Sequence, residues 1–521
     1  MNSEGGILNN RRETVLILDF GSQYTQLIAR RCREEGVYSR VESWDWPLAD
    51  IKKLDPVGII LSGGPNSVYE EGAPVRWDDL VGLGVPVLGI CYGLQVMMLR
   101  EGGVIEAAHS REYGRAKVTI QAESRLFHGV DAEQPVWMSH GDHTTRLADG
   151  WKQLAISDSG IIAAVEDARR NFYGVQFHPE VTHTPAGDKI LRNFLYDICC
   201  AKGGWSMRSY SDEAIEQIAL SLGDNGVICA LSGGVDSSVA ATLVHKVAGD
   251  RLRCVFVNNG VLRKNEASEV ESIFRPRFKD SLITIDASDD FFADLAGISD
   301  PEQKRKKIGG RFITVFEAEA KRFKDAKFLV QGTIYPDVIE SSSSKGPAKI
   351  IKSHHNVGGL PEKLGLKLIE PLRDLFKDEV RQLGRELGLP ESMLMRHPFP
   401  GPGLAVRIIG EVTRDAVKIL QEADAIFIEE LREAGWYPHV SQAFAVLLPV
   451  KSVGVMGDNR TYEQVIALRS VDTRDFMTAD FSPLPHDLLA KVSSRIANTV
   501  RGVNRVVYDV TSKPPATVEW E

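Results

Sequence analysis

Short apolar runs alternate with amphipathic segments along the first 200 residues of the chain. The runs have the length of buried strands, and the segments between them repeat their apolar positions with the spacing of a helix. Strands that alternate with helices predict βαβ units and a largely parallel sheet. We predict strands at 13–22, 57–65 and 85–90 and helices at 23–36, 92–103 and 190–200.

The same pattern begins again after a linker. Glycine and serine in AKGGWSMRS, residues 201–209, indicate a connection between two domains. Four more apolar runs follow, with helical segments between them, and predict a second α/β unit. Its strands are predicted at 226–234, 251–260, 282–288 and 326–333.

A third boundary is predicted near residue 400, where RHPFPGPGLAV contains three prolines and two glycines. The remainder mixes helices with short β-like runs. The predicted fold class is therefore α/β, with two successive doubly wound parallel-sheet domains followed by a smaller α+β C-terminal domain. The predicted boundaries are 1–12 for an N-terminal tail and 13–202, 203–396 and 397–521 for the three domains.

Three polar stretches in the second domain are each expected to lie at the surface. ESSSSKGPAK, residues 340–349, is too polar to be core and is expected to be a mobile loop. Together with IKSHHNVGGLP, residues 351–361, it is expected to close over bound substrate. The run KRKK, residues 304–307, is expected to be a solvated helix face.

Composition and charge narrow the class of protein. The 521 residues are 43% hydrophobic and 26% charged, as in ordinary globular proteins, and are enough for several cores. A net charge of −9 argues against a general nucleic-acid or membrane-surface binder. The six cysteines form no C-x-x-C pair, and no apolar run reaches the roughly 18 residues that span a bilayer. We expect a cytoplasmic protein that binds neither nucleic acid nor membrane.

The first chemical signal is a cysteine between a strand and a helix. Cys91 is flanked by Gly89 and Gly93, the pattern of a nucleophile elbow, and a helix N-terminus favours its thiolate form. In VQFHPE, His178 and Glu180 are two residues apart and share one face of an extended segment. Cys91, His178 and Glu180 are therefore a candidate catalytic triad.

The elbow and the VQFHPE motif together resemble the class I glutamine amidotransferases, which hydrolyse glutamine to glutamate and ammonia through a thioester. The resemblance covers about the first 200 residues. It implies that backbone N–H groups of the LSGGP motif and of the residue after the cysteine form an oxyanion hole. The implied oxyanion and glutamine-binding residues are Gly63, Gly64, Tyr92, Gln95, Ser139, His140 and Asp142.

The second chemical signal is a glycine loop between a strand and a helix. Its string SGGVDSS suits a phosphate through backbone N–H groups, hydroxyls and the helix dipole, but it lacks the lysine of the Walker loop. A loop that grips pyrophosphate as a leaving group fits better than one for γ-phosphoryl transfer. Asp236 is then the candidate ligand for Mg²⁺ on the ATP phosphates. The loop residues are Ser232, Gly233, Gly234, Val235, Asp236, Ser237 and Ser238.

This string resembles the PP-loop of ATP pyrophosphatases, which adenylate a carbonyl oxygen. Gln331, Gly332 and Thr333 end a predicted strand, where parallel sheets usually contact ligands. Lys377 lies in the first turn of a predicted helix, where the dipole disfavours a cation. It therefore either extends into solvent or is held by an anion, and the resemblance favours a phosphate.

Nearly the whole chain resembles the glutamine-hydrolysing GMP synthetases, in the order of its domains and in IKSHHNVGGLP, RHPFPGPGL and SKPPATVEWE. The resemblance implies that xanthosine monophosphate (XMP) is adenylated by ATP, with Mg²⁺, and then aminated by ammonia from glutamine. It also implies a C-terminal dimerisation domain and a homodimer. Arg311, Lys513 and Glu519 are candidates for contacts with XMP, with ordinary surface charge as the alternative.

Other functions remain in view. Glutamine-dependent NAD synthetase, or another PP-loop amidating ligase, shares the loop, but the GICYG and FHPE motifs speak against the former. A tRNA-modifying PP-loop protein is opposed by the acidic charge and by the lack of paired cysteines.

Overall fold

The computed structural model describes residues 12–342, 365–456, 459–473 and 478–521, without the side chains of 107–111, 340–342, 456 and 459. Contacts divide the described chain into two compact units: residues 12–210 with the short stretch 339–342, and the remaining described residues from 211 onwards. No helix among the described residues is long and apolar enough to cross a membrane.

The first unit is built on a nine-stranded sheet. Its strands are β1 Thr14–Asp19, β2 Tyr38–Ser43, β3 Gly58–Leu61, β4 Val87–Ile90, β5 Val104–Ile120, β6 Glu133–Arg146, β7 Lys152–Ser157, β8 Ile162–Asp167 and β9 Phe172–Val175. They lie in the order β2-β1-β3-β4-β9-β8-β7-β5-β6. The first five of these are parallel neighbours, and the pairings from β9 to β6 are antiparallel.

Helices accompany the parallel half of this sheet. The helices are α1 Thr25–Glu34, α2 Leu48–Leu54, α3 Asp78–Val81, α4 Tyr92–Arg100 and α5 Gly187–Arg192, the last continued by a π-helix at Asn193–Ile198. Val15, Leu16, Ile17 and Leu18 of β1 are all fully buried, as expected of a parallel strand covered on both faces.

The predicted strands β1, β3 and β4 and helices α1 and α4 are confirmed, as is the helix near 190–200. The prediction of a largely parallel sheet is too simple, because four of the nine strands form an antiparallel extension. Strands β5 and β6 carry many polar residues, since the burial of β6 alternates with exposure along much of its length. Such strands lack the continuous apolar run by which the parallel strands were recognised.

The second unit contains a five-stranded parallel sheet of order β12-β11-β10-β13-β14. The strands are β10 Gly226–Ala230, β11 Leu252–Asn258, β12 Leu282–Asp286, β13 Ala326–Val330 and β14 Lys367–Ile369. The helices are α6 Met207–Leu222, α7 Val235–Ala248, α8 Glu266–Phe278, α9 Ser288–Leu295, α10 Pro301–Arg322, α11 Tyr335–Ser342, α12 Lys377–Glu386 and α13 Glu391–Leu394. The four predicted strands are confirmed, and α6 begins inside the predicted linker.

A smaller sheet occupies the C-terminal part of this unit. Its strands are β15 Gln442–Met456, β16 Asn459–Asp472, β17 Asp480–Phe481 and β18 Val503–Asp509, and its helices are α14 Arg414–Glu433 and α15 His486–Thr499. Strand β16 pairs antiparallel with β15 and β17 and parallel with β18. The predicted α/β class with a C-terminal α+β part is confirmed. The boundaries 13–202, 203–396 and 397–521 stay a prediction, since one hydrophobic cluster runs from Ile228 to Val503.

The expectation of a solvated KRKK run is wrong at its first residue. Lys304 is fully buried, while Lys306 and Lys307 are exposed. The face of α10 that carries Lys304 packs against the rest of the unit, so the run is split between the two sides of the helix. Residues 343–364 lie outside the described residues, and with them most of the expected loop and all of IKSHHNVGGLP; the tail at 1–11 does so too.

Candidate active sites

The first site forms where β4 turns into α4. Cys91 has φ 51° and ψ −105°, a left-handed conformation that is uncommon for any residue other than glycine. A Cβ on Gly93 would lie 2.4 Å from the carbonyl oxygen of Leu61, and one on Gly89 would lie 2.5 Å from Sδ of Met97. The two glycines therefore allow the sharp turn that the sequence predicted for this cysteine.

Strand order brings the other parts of the site to Cys91. Strands β3, β4 and β9 are hydrogen-bonded neighbours, and all three run in the same direction. Gly63 follows β3, Cys91 follows β4, and His178 lies three residues beyond β9. A Cβ on Gly63 would be 3.1 Å from Cε1 of His178, so the LSGGP segment directly contacts the imidazole.

His178 and Glu180 form a buried pair. Nδ1 of His178 lies 2.7 Å from Oε1 of Glu180, and the two side chains are 3% and 0% exposed. Burial, the largest influence, disfavours the charged ring, but the charge of Glu180 and a hydrogen bond with Cys91 outweigh it. They hold the pKa of His178 well above its ordinary value. The imidazole can therefore stay protonated beside the sulfur.

One of the predicted glutamine-binding residues, Ser139, contacts the same cysteine, and the others contact neighbouring residues. Sγ of Cys91 lies 3.6 Å from the carbonyl oxygen of Ser139, and Nε2 of Gln95 donates to the carbonyl of Asp142 at 2.7 Å. His140 is buried, with Nε2 3.4 Å from a carboxylate oxygen of Glu112. Burial lowers the pKa of His140 below its ordinary value, and the nearby charge of Glu112 only partly offsets this effect.

The predicted oxyanion residues lie beside the elbow. A Cβ on Gly64 would be 3.2 Å from the ring of Tyr92, so the two residues are in close contact. Tyr92 is the first residue of α4, and its N–H therefore has no acceptor within the helix.

Four residues of this site were missed by the sequence reasoning. Nε2 of Gln176 lies 3.7 Å from Sγ of Cys91, and the ring of Tyr24 meets that of His178 edge-on at 5.0 Å. Thr184 donates to the carbonyl of His178, and Arg31 donates to the carbonyl of Glu180. Gln176 could have been found, because alternate residues of an extended segment share a face and it precedes His178 by two. Tyr24 and Arg31 come from a distant part of the chain, and Thr184 follows His178 by six residues without forming a recognisable motif with it.

The second site lies at the carboxyl end of β10. Gly233 has a φ of 76°, and Gly234 precedes the first residue of α7, so the loop turns directly into a helix N-terminus. The hydroxyls of Ser232 and Ser237 are 2.8 Å apart and the amide of Gly234 donates to Ser232. Ser238 differs from these serines, because its side chain is fully buried and makes no hydrogen bond to a described residue.

Predicted residues from other strands converge on this loop. A Cβ on Gly332 would lie 3.1 Å from the backbone of Asp236 and Ser237, so the segment after β13 packs against the start of α7. Thr333 donates to Glu370 at 2.6 Å, and the amide of Gln331 donates to the carbonyl of Ile369.

Lys377 is the first residue of α12, and its ammonium lies 2.7 Å from both carboxylate oxygens of Asp236. The sequence left open whether this lysine meets solvent or an anion. In the structure it meets a carboxylate at the edge of the loop.

The three candidates for XMP contacts lie in different surroundings. Arg311 on α10 donates to both carboxylate oxygens of Asp294 on α9, at 2.7 and 2.9 Å. The backbone of Lys513 pairs with that of Ala479. Glu519 accepts two hydrogen bonds from Arg407, at 3.0 and 2.8 Å, and one from Gln442. None of these arrangements is apparent from local sequence.

The domain comparisons agree with the two sites. A model of class-I glutamine amidotransferases matches residues 16–198, one of the tRNA methyl transferase HUP domain matches 225–280, and one of the GMP synthase C terminal domain matches 429–520. A cysteine elbow with a buried histidine–glutamate pair, and a PP-loop in a separate unit, define a glutamine amidotransferase joined to an ATP-using ligase.

Whole-chain comparisons narrow this class. The GMP synthase (glutamine-hydrolyzing) of Bartonella bacilliformis is 57% identical over 512 residues, covering 98% of this chain and 99% of its own. Those of Aquifex aeolicus and Azoarcus sp. are 56% and 57% identical, each over 98% of this chain and at least 99% of their own. The chain belongs to the family of glutamine-hydrolysing GMP synthases.

The buried pair predicts a particular titration. Replacing Glu180 by Gln removes the charge that raises the pKa of His178, so burial should then dominate and lower that pKa. With ¹³C-labelled histidine, NMR should show His178 titrating well above its ordinary value of about 6.5 in the wild type and far lower in Glu180→Gln. His178→Asn assigns the signal. Glu112→Gln, the control, should move the signal of His140 instead, and an unchanged His178 titration in Glu180→Gln would contradict the pairing.

Proposed function

We propose that this protein makes GMP from XMP, using ATP and the amide nitrogen of glutamine, with Cys91 and the loop at Ser232–Ser238 as its two reaction centres. The observation that carries the proposal is that one chain contains both a cysteine elbow and a PP-loop, in a family of glutamine-hydrolysing GMP synthases. The enzyme is a ligase that forms a C–N bond in purine biosynthesis.

Glutamine hydrolysis is assigned to Cys91, His178 and Glu180. The thiolate attacks the side-chain carbonyl of glutamine, and His178 supplies the proton that ammonia needs to leave. Water then hydrolyses the thioester, with His178 accepting a proton from it, and glutamate is released. The contact of Glu180 with Nδ1 supports its role, since it leaves the other ring nitrogen for the reaction. Backbone groups of Gly63, Gly64 and Tyr92 are proposed to stabilise the oxyanion.

The glutamine pocket is proposed to include Gln95, Ser139, His140 and Asp142. Two contacts support this proposal. The carbonyl oxygen of Ser139 lies beside the sulfur of Cys91, and Gln95 donates a hydrogen bond to the carbonyl of Asp142. Polar groups held in this way are suited to orienting a carboxamide substrate.

XMP activation is assigned to the PP-loop. The C2 oxygen of XMP attacks the α-phosphorus of ATP, the bond to the β-phosphate breaks, and pyrophosphate leaves. Ammonia then attacks C2, and AMP departs with that oxygen. Backbone amides of the loop at the start of α7 suit the phosphates, and Gln331, Gly332, Thr333 and Lys377 are proposed to contact ATP as well.

The loop offers one carboxylate, that of Asp236, to a magnesium ion that arrives with ATP, and an incoming ion would replace the ammonium of Lys377 on its two oxygens. Among the described side chains there is no cluster of three or more metal ligands. Mg²⁺ in nucleotide sites is commonly held by one or two carboxylates, with phosphates and water completing its shell. Asp236, a carboxylate at the phosphate loop, is proposed to be such a ligand. The ion would neutralise charge on the phosphates.

XMP contacts are proposed for Arg311, Lys513 and Glu519. All three are partly exposed in the described structure. The existing partners of Arg311 and Glu519 fix their side chains in position, which supports a role in recognition of a rigid ligand.

The C-terminal region, 397–521, is proposed to form a homodimer. Its long hairpin of β15 and β16 exposes Val450, Val453, Val455 and Tyr462, each more than half accessible. Exposed apolar side chains grouped on one hairpin are typical of a protein–protein interface. A cytoplasmic location is also proposed, and the six unpaired cysteines support a reducing compartment.

The proposed reaction predicts which products ATP gives. With XMP, ammonium and Mg²⁺, ATP should be converted to AMP and pyrophosphate, one pyrophosphate for each GMP. Chromatography of the nucleotides and an enzymatic pyrophosphate assay measure both. Formation of ADP and orthophosphate would contradict the assignment of residues 232–238 as a PP-loop.

The second prediction separates the two reaction centres. Cys91→Ala should lose glutamine-dependent GMP synthesis by at least about a thousandfold but keep synthesis from ammonium salts, because only the nucleophile is removed. Asp236→Ala should lose both activities, since it alters the ATP site. Cys200→Ala, at an exposed cysteine outside the site, is the matched control and should keep both. If Cys91→Ala still used glutamine well, the triad would be wrong.

The third prediction tests the dimer. Val455→Lys places a charge on the exposed apolar hairpin and should shift the protein towards monomer in sedimentation velocity experiments. Leu220→Lys, at an apolar residue exposed on α6, is the control and should leave the distribution unchanged. A wild-type protein that sediments as a monomer at all concentrations would contradict the proposal.

A further inference from the structure

Lys304 is a fully buried lysine whose three ammonium protons are all used. Its Nζ lies 3.1 Å from the carbonyl oxygen of Ala405, 2.7 Å from that of Ile408 and 2.5 Å from Oε2 of Glu521. The side chain of Glu521 is itself only 9% exposed. An ammonium has three donors, so this one is saturated by oxygens from two distant segments.

These oxygens flank another ion pair. Ala405 and Ile408 lie on either side of Arg407, and Glu521 lies two residues beyond Glu519. Arg407, also fully buried, binds the carboxylate of Glu519 with two hydrogen bonds. Lys304 therefore contacts the neighbours of Arg407 on one segment and a neighbour of Glu519 on the other. It makes no hydrogen bond to the guanidinium of Arg407 or to the carboxylate of Glu519.

The position of the segment that carries Glu519, residues 511–521, depends on hydrogen bonds from cationic side chains. Of residues 511–521, only Val518 is buried, so apolar packing contributes little to its position. Arg469, fully buried, donates to the carbonyls of Thr517 and Val518. Arg305 donates to the main-chain oxygen of Glu521 at 2.6 Å. Hydrogen bonds to cations, rather than a hydrophobic contact, set where Glu519 lies.

We propose that Lys304 is a positioning residue for XMP binding. It ties the segment of Arg407 to the segment of Glu521 and so fixes the carboxylate of Glu519 where the nucleotide meets it. The inference rests on the proposed function, in which Glu519 contacts XMP. Loss of Lys304 lets the two segments move apart, and a displacement of about 1 Å is enough to weaken an oriented interaction by up to about a hundredfold.

A different role would be purely structural, with Lys304 present only to balance the charge of Glu521. The two roles predict different kinetics. Loss of stability lowers the fraction of active enzyme, and hence the apparent kcat, but leaves KM for every substrate unchanged. Loss of positioning raises KM for XMP and leaves KM for ATP unchanged.

The test measures steady-state kinetics of the full-length enzyme with ammonium as nitrogen source. Lys304→Met keeps the length of the side chain and removes the charge, and we expect KM for XMP to rise between about tenfold and a hundredfold. Lys306→Met, one of the exposed lysines of the same run, is the matched control and should have wild-type KM values. An unchanged KM for XMP in Lys304→Met would overturn the inference.

A double variant separates stability from positioning. Lys304→Met/Glu521→Leu removes both charges, so no unpaired buried charge remains, and the melting temperature should recover relative to Lys304→Met. We expect KM for XMP to stay raised, because the two segments are still not joined. Recovery of KM together with the melting temperature would overturn the inference. If Lys304→Met does not fold, Glu521→Leu, which removes the acceptor of Lys304, carries the same test, with a raised KM expected and a wild-type KM overturning it.

One more variant distinguishes this inference from the proposal on which it rests. Glu519→Gln should raise KM for XMP if Glu519 meets the nucleotide. A raised KM in Glu519→Gln with a wild-type KM in Lys304→Met would overturn the positioning role alone. A wild-type KM in Glu519→Gln would overturn the proposed contact, and the inference with it.

Discussion

Parallel strands that hydrogen-bond to one another all end at the same edge of their sheet, and both candidate sites depend on this constraint. In the first unit it brings together the segments after β3, β4 and β9, which carry Gly63, Cys91 and His178. In the second it brings the segments after β10 and β13 together, so that Gly332 packs against the backbone of Asp236. The register of the strands assembles each set of residues, and side-chain contacts only refine their positions.

The parts of the fold that could be predicted from sequence are those with a local signal. A continuous apolar run identified β1, β3 and β4 in the first unit and β10, β11, β12 and β13 in the second. The antiparallel strands β5, β6 and β7 were missed because many of their positions are exposed, and their polar positions resemble those of loops. Strand β8 was missed although it is largely buried. Pairing of distant strands follows from the path of the whole chain, which local patterns do not contain.

The residues of the two sites also divide into those with a local signal in the sequence and those without one. The cysteine elbow, the VQFHPE motif and the PP-loop each occupy a few consecutive residues, and the structure brings Cys91, His178 and Glu180 together. Tyr24 contacts His178 from a distant part of the chain, and nothing in its own surroundings in the sequence indicates it. Local charge was misleading at Lys304, because a run of cations on a helix contains residues from both of its faces.

The buried cations of the second unit suggest why its C-terminal segment is held by charge. Apolar packing is non-directional and tolerates small shifts along a surface, whereas a hydrogen bond weakens steeply when its angle or length changes. Arg407 and Lys304 hold Glu519 and Glu521, two residues apart, through three hydrogen bonds at or below 3.0 Å from buried donors. Replacing such groups by apolar residues of similar volume is often neutral or stabilising, so stability alone does not account for them. A segment that must present a carboxylate to a small, rigid nucleotide needs a defined position, and directional contacts from buried cations supply it.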